Sequence, residues 1–123
     1  MQALSAHNLA GSQLDGERIA MLRGIRNGAL LQKVVQSYLV ESPPQIDALI
    51  AALGAGDAVA MVRSAHSLKS ASFSIGAKNV GAICEHIEHS VRQGAPFDAR
   101  TVSGNLSASH TAVIAELRQL LHT

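Results

Sequence analysis

The residue best placed for covalent chemistry in this chain is a histidine, His66, set among cations and small side chains. At about 100° per residue, Arg63, Lys69 and Ser70 fall within about 60° of His66, one helical turn before or after it. Met61, Ala65, Leu68, Ser72 and Ile75 form a separate stripe of apolar or small side chains, and His66 lies one residue round from Ala65. A helix built this way buries one face and presents an imidazole at the edge of the other. A neutral ring nitrogen there is a nucleophile, and a nearby ammonium tolerates an incoming dianion. The arrangement suits a histidine that takes and gives a phosphoryl group. A lone histidine on a helix is also an ordinary solvated residue, and spacing alone leaves both readings open.

The elements that must hold this helix are legible from apolar periodicity and from turn residues. Met1 to about Gln13 is polar without a sustained period, and reads as a leader or the end of a linker; residues 14–123 read as one helical domain. Asp15 to about Ile25 is expected to be a short helix capped by Asp15, followed by a turn bracketed by Gly24 and Gly28. A helix then starts near Ala29, with Leu30, Leu31, Val34, Val35, Tyr38 and Leu39 in register. Pro43-Pro44 should kink or break it, yet Ile46, Leu49, Ile50 and Leu53 restore the period at once. One kinked helix and two closely joined helices both fit.

Gly54-Ala55-Gly56 ends that element, and Asp57 can cap the His66 helix, expected from about Ala58 to Phe73. Ser74-Ile75-Gly76 reads as a turn. The next helix starts near Ala77, with Val80, Ile83, Cys84, Ile87 and Val91 as its stripe, and closes at Gln93-Gly94. Pro96-Phe97-Asp98 is a helix start, and the last stripe is Val102, Leu106, Ser109, Val113, Leu117, Leu120 and Leu121. Four substantial helices with short joints predict an all-α fold: an antiparallel up-and-down four-helix bundle with a short additional N-terminal helix.

The run His66-x-x-Lys69-x-Ala71-Ser72-x-x-Ile75-Gly76-Ala77-x-x-Val80-x-x-x-Cys84-x-x-Ile87-Glu88 resembles the signature of histidine-containing phosphotransfer (HPt) domains of multistep two-component relays. Nearly every fixed position of that pattern is met, and weaker similarity extends from about Leu14 to the C-terminus. Two positions depart from it: Ser70 stands where the family has glycine, and Phe73 where the residue is usually small. The resemblance implies that His66 accepts a phosphoryl group from a receiver-domain aspartate and passes it on, reversibly, with Lys69 stabilising the phosphoryl group. It implies docking of receivers of response regulators or hybrid kinases on the face carrying Val62, Arg63, Ser70 and Phe73. It implies no cofactor of the chain's own, with Mg²⁺ brought by the receiver. Such modules often form the C-terminal part of hybrid sensor kinases, so the domain is expected to be cytoplasmic, freestanding or tethered to the inner membrane through a longer kinase, and monomeric.

Composition narrows the field. Apolar residues make up 47% of 123, charged residues 15%, and the net charge is +1, so the chain has neither a broad basic footprint nor the base-stacking aromatics of a nucleic-acid binder. No apolar run approaches the roughly 18 residues that span a bilayer. There is no glycine-rich loop with a lysine and no acidic cluster for magnesium, so no ATP site is expected. A single cysteine, Cys84, excludes an intrachain disulfide and reads as a small buried hydrophobe. Glu88 reads as a cap or a pairing partner within the bundle, with no part in the chemistry. His86 and His89 with Glu85 and Glu88 suggest a metal-binding helix, but the two histidines fall off the apolar stripe, and no metal is expected. His7, His110 and His122 read as isolated and solvated. Beside the phosphocarrier stand two alternatives: a pseudo-HPt module that docks receivers or kinases without carrying phosphate, and a plain structural bundle or metalloprotein.

Overall fold

The computed structural model describes residues 12–121. Among them the chain forms five α-helices and no strand: α1 (Gly16–Arg23), α2 (Ala29–Ala55), α3 (Ala58–Ile75), α4 (Lys78–Gln93) and α5 (Ala99–Leu121). Most of the expected leader, with His7, and the terminal His122 lie outside the described residues.

Each boundary has a local cause. The Asp15 carboxylate accepts the Glu17 and Arg18 N–H groups at the start of α1, Asp57 accepts that of Ala60, and Asp98 accepts those of Arg100 and Thr101. Helices α2, α3 and α4 end on Gly56, Gly76 and Gly94 in the left-handed conformation, which glycine adopts without a Cβ penalty. The α2 helix runs unbroken through Pro43-Pro44, so the one-helix reading holds. The carbonyls deprived of donors there belong to Leu39 and Val40, and Val40 is 74% exposed, where water can replace the missing bonds. The α3 helix continues two residues past its expected end, because Ile75 is drawn fully into the core.

Helix α3 packs between α2 and α4, while α5 packs on α2 and, more lightly, on α4. Val35, Leu49, Leu68, Ile75, Val80, Ile87, Leu106, Val113 and Leu117 are fully buried between these helices. Burying each such side chain contributes about 1.5–3 kcal/mol before conformational entropy is subtracted. The α1 helix lies across α2 and one end of α3. Its entry is tied to the α3–α4 corner, with Asp15 N–H donating to the Gly76 carbonyl (2.7 Å) and Arg18 Nε–H to that of Ser74 (2.9 Å). A Cβ on Gly76 would lie 3.2 Å from the Arg18 Cβ, so both its φ of +83° and this close approach call for glycine. Ser12 and Gln13, expected to close the leader, bond to the Glu116 carboxylate of α5, and the Gln13 side chain accepts from Asn79 of α4.

Inside the bundle, two hydrogen bonds cross between helices. Tyr38 Oη and Ser72 Oγ are 2.8 Å apart, as are Ser42 Oγ and His110 Nε2, and the Tyr38 and His110 rings lie 6.1 Å apart. His110 is therefore not the solvated residue expected: it is only 8% exposed. It follows Leu106 by four residues and precedes Val113 by three, which places it on the buried face of α5, where Ser42 satisfies its ring.

Burial lowers the His110 pKa, with the Asp47 charge opposing weakly. A histidine held neutral in the folded state contributes stability that is complete above its unfolded value of about 6.5 and is lost as pH falls through the depressed folded value. Urea unfolding at pH 7.5 and pH 5 should show this loss in the wild type, and His110→Asn should flatten that part of the profile. An unchanged pH slope in the variant would remove His110 as its source.

Candidate functional site

The site is made where α3 and α4 run side by side. Gly81 of α4 faces α3 without a side chain, and the Phe73 ring of α3 fills the space beside it. His66 stands mid-helix on α3 with 60% of its side chain exposed. Across the seam, Glu88 of α4 is almost completely buried, and its carboxylate is shared three ways. Oε2 lies 3.2 Å from His66 Nδ1 and 3.0 Å from an Arg92 Nη atom, and Oε1 lies 2.8 Å from Lys69 Nζ.

Those partners settle the protonation of Glu88. Glu88 is held at about 2, below the ordinary 4.5, chiefly by the hydrogen bond from Lys69 and further by those from Arg92 and His66, against the opposing cost of burial. The carboxylate is thus ionised at neutral pH and can only accept. The hydrogen at the His66 contact must come from Nδ1. A neutral ring in that tautomer carries its lone pair on Nε2, which is the nitrogen left for chemistry. Glu88 therefore orients the ring and, when the ring is neutral, leaves its lone pair on Nε2.

The structure distributes the other sequence-derived candidates around this pair. Lys69 is half-buried and meets His66 through the carboxylate they share. Arg63, Ser70 and Phe73 are exposed on the same helix, and Val62 is half-buried. Val62 and Arg63, with Ala58, Val59 and Val91, line a shallow apolar groove beginning one turn before His66. Cys84 is buried, and burial pushes its thiol up to about 12, so it remains a protonated, unreactive packing group. His86 sits edge-on to Phe97, with ring centroids 6.3 Å apart.

Two residues of the site were not assigned a part in it from the sequence. From sequence Glu88 reads as a cap or a pairing partner within the bundle, and Arg92 has no assigned part; the structure brings both together beside His66. A signal was present: Glu88 follows Cys84 by four residues, about 40° round the helix and hence on the buried face. A carboxylate there requires a cation, and Arg92 is one turn further on. The missing information was which residue of α3 lay opposite.

The comparisons with known proteins identify the family. The model of the Hpt domain family matches residues 33–123. Among solved structures, the chain resembles histidine-containing phosphotransfer protein B (HptB) from Pseudomonas aeruginosa PAO1, with 27% identity and a TM-score of 0.78 over 87% of this chain and 92% of that one. No curated protein matches the chain significantly. The chain belongs to the Hpt family. Its role is histidine phosphotransfer in a two-component phosphorelay.

The tautomer is directly measurable. A ¹⁵N-edited spectrum of the imidazole should show neutral His66 with its proton on Nδ1, whereas Glu88→Ala should move the population toward Nε2–H, the form favoured by a free imidazole. A predominantly Nε2–H ring in the wild type would contradict the assignment.

Proposed function

We propose that His66 is the phosphoryl-accepting residue, and that it reacts through Nε2 with the aspartyl phosphate of a receiver domain. The Nε2 lone pair attacks phosphorus, the N–P bond forms as the P–O bond to the aspartate breaks, and the aspartate leaves as a carboxylate with the bonding pair. The ring gains positive charge and keeps its Nδ1 proton, which the ionised Glu88 stabilises through their hydrogen bond. The reverse sequence passes the group to another receiver. The receiver supplies the Mg²⁺ that neutralises the phosphoryl oxygens on its own side.

The observation that carries this reading is an exposed imidazole whose inner nitrogen is 3.2 Å from an ionised, buried carboxylate. Exposure matters as much as the pairing, because the partner aspartate must come into line with Nε2. Lys69 and Arg92 give the mechanism its electrostatics. Both are held beside the ring by Glu88, and the phosphohistidine brings about two further negative charges to share them. Arg92 retains 58% side-chain exposure, so its guanidinium can turn toward the phosphoryl oxygens without dismantling the core.

Around that centre, Val62, Arg63, Ser70 and Phe73 form the receiver-docking face, an apolar surface rimmed by polar groups. The four long helices are read as an antiparallel up-and-down bundle, consistent with their short joints and with α3 lying between α2 and α4. The domain is placed in the cytoplasm as a monomer, serving receivers of response regulators or of a hybrid sensor kinase that includes it. No helix among the described residues is long and apolar enough to cross a membrane.

Incubation with a phosphorylated receiver should label the wild type with an acid-labile, base-stable phosphate and leave His66→Gln unlabelled. Lys69→Ala should slow transfer about a hundredfold, the scale on which a single charge-stabilising group acts. Equal labelling of wild type and His66→Gln would overturn the assignment.

A further inference from the structure

Phe73 and Gly81 form a pair that the phosphoryl chemistry does not use. Phe73 lies seven residues after His66 on α3, about 20° round the helix and about 10.5 Å along it. It is a large apolar residue left 41% exposed. Gly81 faces it from α4. A Cβ built on Gly81 would fall 2.6 Å from Phe73 Cε1 and 2.8 Å from both Cδ1 and Cζ, so one edge of the ring occupies the space any other residue's side chain would need. Glycine is a poorer helix former than alanine. Gly81 accepts that cost in the interior of α4 and in return seats an aromatic ring on bare backbone.

We propose that Phe73, seated on Gly81, is a specificity-determining contact that sets which receiver domains this chain serves. The inference rests on the carrier reading of His66. A protein–protein contact of ordinary size covers about 800 Å² on each partner, equivalent to a disc of about 16 Å radius. Any receiver that brings its aspartate to Nε2 with such a footprint covers a residue 10.5 Å away on the same face. The ring's edge packs over the bare backbone of Gly81, so the receiver meets an apolar step at the α3–α4 seam. Ser70 and Ser74, beside it on α3, carry no charge, and Lys69, one turn before it, is paired with Glu88. The step therefore fits a receiver presenting a small or apolar side chain, and it disfavours one that must bury an unpaired charge there.

The test uses the whole chain and several purified receiver domains, each phosphorylated beforehand, with transfer measured over a range of receiver concentrations. For a receiver that serves the wild type, Phe73→Ala should raise KM about tenfold while leaving kcat within about twofold, and should change the ranking of the receivers; Phe73→Leu should recover much of the KM. Gly81→Ala should alter KM when Phe73 is present and have no effect when added to Phe73→Ala. Receiver affinity measured by titration calorimetry should follow KM. If Phe73→Ala lowers only the melting temperature, with KM, affinity and ranking unchanged, the ring is packing alone and the proposal is wrong. His66→Gln is run in parallel: a labelled His66→Gln overturns the carrier reading, whereas an inactive His66→Gln beside an unaltered Phe73→Ala overturns the specificity proposal alone.

Discussion

The site depends on one ionised carboxylate buried at the seam between two helices. Glu88 has exchanged water for Lys69, Arg92 and the Nδ1–H of His66. A buried carboxylate without partners would favour protonation, and a protonated Glu88 could donate to Nδ1 and favour the opposite tautomer. The cations are thus needed before any phosphoryl group arrives, because they keep Glu88 charged. The charged Glu88 in turn holds the hydrogen of a neutral ring on Nδ1, so that the lone pair faces outward on Nε2. One local balance of charge serves both to hold the seam together and to orient the His66 ring.

The rest of the fold can be understood as the means of holding that carboxylate in place. Helices α3 and α4 must come close enough for a glutamate on one to reach a histidine on the other. Gly81 leaves room on α4 for the Phe73 ring of α3, and Gly76 turns the chain sharply between the two helices under the start of α1. The large aliphatic side chains lie behind this seam, and the polar pairs Tyr38–Ser72 and Ser42–His110 cross the core among them. Each of those pairs satisfies groups that would be costly to bury alone, and each joins a particular residue of one helix to a particular residue of another.

The helices were readable because amphipathic period, aspartate caps and terminal glycines all mark the same boundaries. His66 and Lys69 were readable because they share one helix, where spacing determines proximity. Glu88 was visible as a residue but not as a participant, since its work depends on the relative rotation of α3 and α4. That rotation is set by packing between residues far apart in sequence. The same limit explains His110: its position between Leu106 and Val113 marked a buried face, but only the arrangement of α2 against α5 supplied Ser42 as its partner. Phe73 stood out as a large residue at a position where the family has a small one, while the glycine that accommodates it became apparent only with the two helices side by side.

The ring nitrogen that carries phosphorus is the most direct test of this picture. In ¹⁵N-histidine-labelled protein phosphorylated by a receiver, the one-bond coupling between ³¹P and ¹⁵N identifies the atom bonded to phosphorus. The account predicts that coupling at Nε2 of His66, with Nδ1 still carrying a proton directed at Glu88. Phosphorus on Nδ1, or on any histidine other than His66, would contradict it.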